Sequence, residues 1–222
     1  MKSRSARWSR LAAIGLLLYA AAPASTTAAT DRGWSAYQRG DLPAARAAYE
    51  RDAQSGDRLA QFNLATMLLR GEGGVADPAR GVEWLRKAAE AGMPQAQYTL
   101  GLLYESGTGV GRSLTAATEW WERAARQGHV DAQVQVGTQY FLGRGAPRDW
   151  RLAAKWYEAA AENGDAAAQY LIASFYEHGD GVAQDLQRAL AWYVQAARQG
   201  DAGAALQAND VARRLGVSVP GR

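Results

Sequence analysis

Of 222 residues, 48% are hydrophobic and 21% charged, so the chain can bury a core of ordinary domain size; with no cysteine it has neither a disulfide framework nor a site for cysteine lipidation. The formal charge of +3 comes from 25 basic and 22 acidic side chains, but Lys2, Arg4, Arg7 and Arg10 all precede the first acid, Asp31. Without those four, 21 basic residues face 22 acidic ones, about −1, with no basic run to follow a phosphate backbone, which excludes nucleic acid as a default partner.

The basic start leads into an apolar run from Leu11 to Ala22, then Pro23-Ala24-Ser25 and a Thr/Ala-rich stretch. This is the pattern of a secretory signal peptide over 1–29, with cleavage after Ala24 or Ala29. The twelve apolar residues fall short of the roughly 20 a membrane span needs. The expectation is therefore a mature chain without stable membrane insertion, in the periplasm or secreted. Residues 25 to 32 read as a loose segment.

Beyond it, 30–215 reads as a single helical-repeat domain. It opens with a partial unit over 34–56, in which a short helical piece at 34–39 precedes Gly40-Asp41 and a second-type helix at 43–54. A period of 36 then takes over. Gly56, Gly92, Gly128, Gly164 and Gly200 keep it, and so do Trp84, Trp120, Trp156 and Trp192. Ala60, Ala96, Ala132, Ala168 and Ala204 share the step, as do Ala88, Ala124, Ala160 and Ala196. Full units are placed at 57–92, 93–128, 129–164 and 165–200, a capping helix at 201–215 and a flexible tail at 216–222.

Apolar spacings of three and four predict two helices per unit. First helices fall near 58–69, 94–105, 130–141, 166–177 and 202–214; second helices fall near 43–54, 78–91, 114–127, 150–163 and 186–199. The glycine after each second helix suits a left-handed exit, and an Asp or Ser (Asp41, Asp77, Ser113, Asp149, Asp185) stands as N-cap before each second helix. The Trp series and Tyr104, Tyr140 and Tyr176 read as packing residues between helices. Arg213 and Arg214 sit where positive charge suits a helix C-terminus.

No catalytic constellation stands out, and the chain reads as a non-enzyme without cofactor or metal. His129 and His178 are the only histidines, neither in a ligand motif. Glu83, Glu119 and Glu158 read as surface ion pairs with Arg86, Lys87, Arg123 and Lys155. The loop glycines lack the sequence of a phosphate cradle, and no serine lies in a nucleophile elbow.

Candidate binding residues come from comparing the copies. Gln61, Gln97, Gln133 and Gln169 recur in four first helices; they bond either to an adjacent loop or helix, or as a polar ladder to a peptide. Phe62, Tyr98, Tyr170 and Trp150 are candidate anchors, since Tyr and Trp suit interface hot spots. Asn63, Thr99, Gln135 and Leu171, with Arg70, Ser106, Leu142 and His178, vary between copies and are free for a partner, or simply free.

The pattern Ala-x3-Leu-Gly-x2-Tyr-x2-Gly-x-Gly followed by Ala-x2-Trp-x3-Ala-Ala-x2-Gly resembles the Sel-one-like repeat family, related to the tetratricopeptide repeat. It is carried by Ala96, Leu100, Gly101, Tyr104, Gly107 and Gly109, then Ala117, Trp120, Ala124, Ala125 and Gly128. The resemblance covers 34 to 214. It implies an all-α, right-handed α/α solenoid of paired helices in an exported bacterial protein. It also implies a scaffold or adaptor that holds a protein or peptide partner in an envelope or signalling complex. The alternative it carries is binding or hydrolysis of cell-wall peptidoglycan fragments. The members linked to cell-wall compounds are cysteine-rich, whereas this chain has no cysteine.

Overall fold

The computed structural model describes the backbone over 27–219 and side chains over 32–219. The apolar run and both cleavage candidates of the expected signal peptide lie outside the described side chains. Within the described residues the protein is all-α, a series of paired helices with no strand. The helices are α1 (Thr27–Gln38), α2 (Leu42–Gln54), α3 (Arg58–Arg70), α4 (Pro78–Glu90), α5 (Pro94–Ser106), α6 (Leu114–Ala125), α7 (Val130–Leu142), α8 (Trp150–Glu162), α9 (Ala166–His178), α10 (Leu186–Arg198) and α11 (Ala202–Leu215). From α2 onward each lies within two residues of its expected bounds. The exception is α1, described from Thr27, which takes in 27–32 of the stretch read as loose. Within α1, a Cβ on Gly33 would overlap the Tyr49 ring of α2. The missing side chain is the docking point that holds α1 against its neighbour.

Two compact units divide the chain, one up to Ser113 and one from Leu114. In the first, α1 to α5 pack each on the next; in the second, α6 to α11 do the same. Alanines at the helix crossings make the close approach possible. Ala60 and Ala96 in the first unit, and Ala124, Ala132, Ala160, Ala168, Ala196 and Ala204 in the second, are wholly buried. A bare helix surface at such points lets neighbouring backbones approach, as in ridge-into-groove packing. Gly137 in the middle of α7 serves the same end, because a Cβ there would meet the Tyr157 ring at 2.9 Å.

The deepest large side chains are not the repeating tryptophans but the residues that follow them. Leu85, Trp121, Tyr157 and Tyr193 are buried to 2% or less, whereas Trp84, Trp156 and Trp192 are half-buried. The physical reason is helical phase: one residue is a turn of about 100°, which carries the next side chain to the centre of the contact. Trp84 and Trp120 instead lie under cations, with Lys87 Nζ 4.0 Å and Arg123 Cζ 4.3 Å from the ring centroids. Those two cations thus cover indoles, where the sequence reading paired them with carboxylates.

The second unit is closed by a charged contact. Glu177 of α9 is buried, accepts from Tyr193 Oη at 2.9 Å and pairs with the Arg214 guanidinium. Burial, and then this carboxylate, push the Tyr193 hydroxyl up. Arg214 therefore ties α11 to α9, and Arg213 bonds Asp210 at 2.9 Å.

Candidate partner-binding surface

Each repeating glutamine reaches back eight residues to the helix before it. Gln61, Gln97, Gln133 and Gln169 donate Nε2–H to the carbonyls of Ala53, Ala89, Ala125 and Ala161 at 3.0–3.2 Å. Those carbonyls lie in the last turn of the second helices, where each also accepts from the N–H of the repeat glycine (Gly56, Gly92, Gly128, Gly164) at 3.0–3.1 Å, so the glutamine adds a second donor. All four glutamines are between 3% and 7% exposed, so these side chains close one helix onto the next and do not present a ladder to solvent. In the second unit the far oxygen is used too. Gln133 Oε1 accepts from Asn163 at 3.3 Å, and Gln169 Oε1 accepts from Gln199 at 2.9 Å.

The tyrosines of the repeat fix the same helix pairs at their other end. Tyr140 and Tyr176 donate to Glu122 and Glu158 at 2.6 and 2.8 Å, while Tyr104 accepts from Arg86 at 2.9 Å. The bond to Glu122, followed by burial, pushes the Tyr140 hydroxyl up to about 12. For Tyr176 burial leads and Glu158 follows, with the same result of about 12. Glu158 also accepts from Arg188, and Glu122 from Arg126 at 2.7 Å. These carboxylates are structural, each holding two donors.

Most of the candidate anchors are used in packing. Phe62, Asn63 and Thr99 are buried, which removes them from any solvent-facing surface. Tyr98 and Tyr170 are half-buried, and the Tyr170 ring lies edge-on to Tyr193 with centroids 5.4 Å apart. Gln135 and Leu171 are half-buried as well, and His178 is exposed with Nδ1 2.9 Å from the Ser174 carbonyl. His129 proves to be an N-cap: the Ala132 N–H donates to its Nδ1 at 3.3 Å. Asp57, Asp165 and Asp201 do the same work elsewhere.

Trp150 is different. It is 40% exposed and follows the N-cap Asp149, whose side chain accepts from the Leu152 N–H. Its ring lies 6.1 Å from Phe141 (36% exposed), which in turn lies 5.7 Å from Phe175, itself edge-on to Tyr157 at 5.6 Å. Leu142, 40% exposed, extends the apolar edge. The outer half of this aromatic row is in water and the inner half is core. The loop between α7 and α8 is held in place, since a Cβ on Gly145 would overlap the Leu114 carbonyl. On the other side, a Cβ on Gly181 would overlap the Trp150 carbonyl.

Arg144, Arg148 and Arg151 rim this surface; all three are exposed, and among the described residues none forms an ion pair. Phe141 and the three arginines escaped the sequence reading, though the copies carry a signal. At the position of Phe141 the other units have Leu69, Glu105 and Glu177.

Chemically this surface offers apolar contact and positive charge. Among the described residues no group of three or more His, Asp or Glu side chains could hold a metal ion, and no helix is long and apolar enough to cross a membrane.

Comparison with known proteins agrees with this architecture. The Sel1 repeat model matches four successive segments, 58–93, 94–129, 130–165 and 166–201. No curated protein matches. Among solved structures, the chain is similar to a protective antigen of uropathogenic Escherichia coli displaying an SLR fold. That match has 33% identity and a TM-score of 0.80, covering 87% of this chain and 43% of the antigen, so this chain spans less than half of the antigen's length. A Sel1 repeat protein from Oxalobacter formigenes is similar at 32% identity and a TM-score of 0.77, over 84% of this chain and 77% of that one. Four contiguous repeats, each closed by the same Gln-to-carbonyl bond, make this chain a member of the Sel1 repeat family, built of paired α-helices.

Proposed function

We propose that the protein is an exported scaffold or adaptor that holds a protein partner in the periplasm or outside the cell, as part of an envelope or signalling complex. The observation that carries this reading is the division of labour between repeated and unrepeated side chains. Residues common to the copies are consumed by packing, caps and helix ties. The apolar edge of Phe141, Leu142 and Trp150 is only partly taken up by packing, and exposed apolar clusters on repeat arrays are where partners dock.

The test is photo-crosslinking in the native cell, with a photoreactive residue at Trp150 and a control at Leu206, which is 73% exposed on α11. A discrete protein adduct from position 150, in the envelope or culture fluid, supports the proposal. The alternative, peptidoglycan-fragment binding or hydrolysis, takes its place if no protein adduct forms and the purified chain binds or cleaves muropeptides.

A further inference from the structure

Comparison between the repeat units isolates one loop by charge. The segment from Phe141 to Arg151 carries three arginines and one aspartate, +2. The equivalent segments carry one base and two acids over 69–79 (−1), one of each over 105–115 (0), and three acids over 177–187 (−3). The fold requires no net positive charge at this place, because the other copies build the same turn at −1, 0 and −3; of the three arginines only Arg148 has a basic counterpart, Arg112. Apolar exposure coincides with the charge: Phe141, Leu142 and Trp150 are the large apolar side chains left open in this segment, and Arg144, Arg148 and Arg151 flank them unpaired. Asp149, the one acid within the loop, is occupied as the cap of α8.

We infer that this surface binds an acidic, extended peptide segment bearing one large apolar anchor. The inference rests on the scaffold reading above and names the chemistry of its partner. The apolar side chain of the peptide would lie on the Phe141–Trp150 edge, and flanking carboxylates would meet the three guanidiniums, whose planar forks suit carboxylates. The inner rings, Phe175 and Tyr157, hold the outer ones in place, so little ordering is required on binding. An anionic membrane would meet the same charges. The apolar part, however, is three side chains each at least 60% covered, enough to seat one anchor and too little to insert into a bilayer as amphipathic helices do.

The experiment is selection of random twelve-residue peptides displayed on phage against the chain lacking its signal segment. The best peptides are then titrated at low and high salt. The expected result is enrichment of Asp and Glu around a Leu, Phe or Trp. Affinity should fall about tenfold or more in the triple variant Arg144→Glu/Arg148→Glu/Arg151→Glu and in Trp150→Ala, and it should weaken at high salt. Circular dichroism of both variants shows that the helices persist, since every substituted side chain is exposed. Neutral or basic selected peptides overturn the inference, as does unchanged binding by the charge-reversed chain. Binding to phosphatidylglycerol vesicles with no acidic peptide selected assigns the surface to lipid and overturns it too. Envelope crosslinks that persist in the charge-reversed chain leave the scaffold reading standing while this one falls. Loss of all protein crosslinks from the unmodified chain removes both.

Discussion

Protonation of His129 removes the acceptor that caps α7. The neutral ring takes the Ala132 N–H on Nδ1, and burial holds the imidazole below its ordinary value, with Asp131 opposing in part. A group whose folded value is depressed stabilises fully above its unfolded value, about 6.5 for histidine, and loses that contribution as pH falls through the folded value. Acidification from about pH 7.5 to about pH 5 should therefore destabilise the native chain more than a His129→Asp variant, since an Asp cap stays ionised through that window. Urea unfolding at both pH values checks it; equal losses in the two proteins would show that this cap does not titrate. Three of the four sister positions carry an aspartate cap, Asp57, Asp165 and Asp201, and the fourth, Met93, makes no side-chain cap bond. Sequence comparison placed the residue but could not show which ring nitrogen meets the backbone.

At the scale of the helix pair, the tie from glutamine to the preceding helix end makes a prediction in each direction. Gln133→Leu keeps the volume but removes the second donor of the Ala125 carbonyl, which keeps the Gly128 N–H, and one acceptor of the Asn163 amide, which keeps the Ala159 carbonyl, and should cost about 1 kcal/mol. The first unit contains the opposite case. Gln61 Oε1 is buried with no hydrogen-bond partner, because Ala91 stands where Gln199 donates to Gln169 Oε1 and to the Gly164 carbonyl. Ala91→Gln supplies the missing donor at the exposed end of α4 and should stabilise by about 1 kcal/mol. Thermal or urea unfolding of the two variants reads both signs. A neutral Ala91→Gln would mean that the Gln61 oxygen is already satisfied by water. The period of 36 was legible because glycine exits, alanine crossings and aspartate caps are each dictated by local backbone demands that recur in every pair. The glutamine tie was visible as a series but not as a function, since both a buried bond and a peptide ladder produce the same recurrence. The binding edge was hidden for the converse reason. Phe141 is a divergence from the repeat, and its exposure depends on how α7, α8 and α9 pack.

Across the whole molecule, the proposed export and the charge are linked. The four basic residues that precede Asp31 account for the positive balance, and their removal takes the chain from +3 to about −1. If the chain is exported as proposed, the start of α1 favours one of the two expected cleavage positions. A cut after Ala29 would remove Thr27, Ala28 and Ala29 from the first turn of a helix that docks on Tyr49 through Gly33. A cut after Ala24 leaves the described part of that helix whole. The remaining turns after the later cut would also begin with fewer residues to offset the cost of helix nucleation, which fixes several dihedrals for one hydrogen bond. The mature protein should therefore begin at Ser25 and focus on the acid side of neutrality, far from the value near 9.3 of the whole chain. Intact-mass measurement and isoelectric focusing of protein recovered from the envelope and the culture fluid check this. A mature chain starting at Thr30 would show that the first turn of α1 forms without contributing to the fold. The full-length mass found in the cytoplasm would remove the export reading and, with it, the envelope partner.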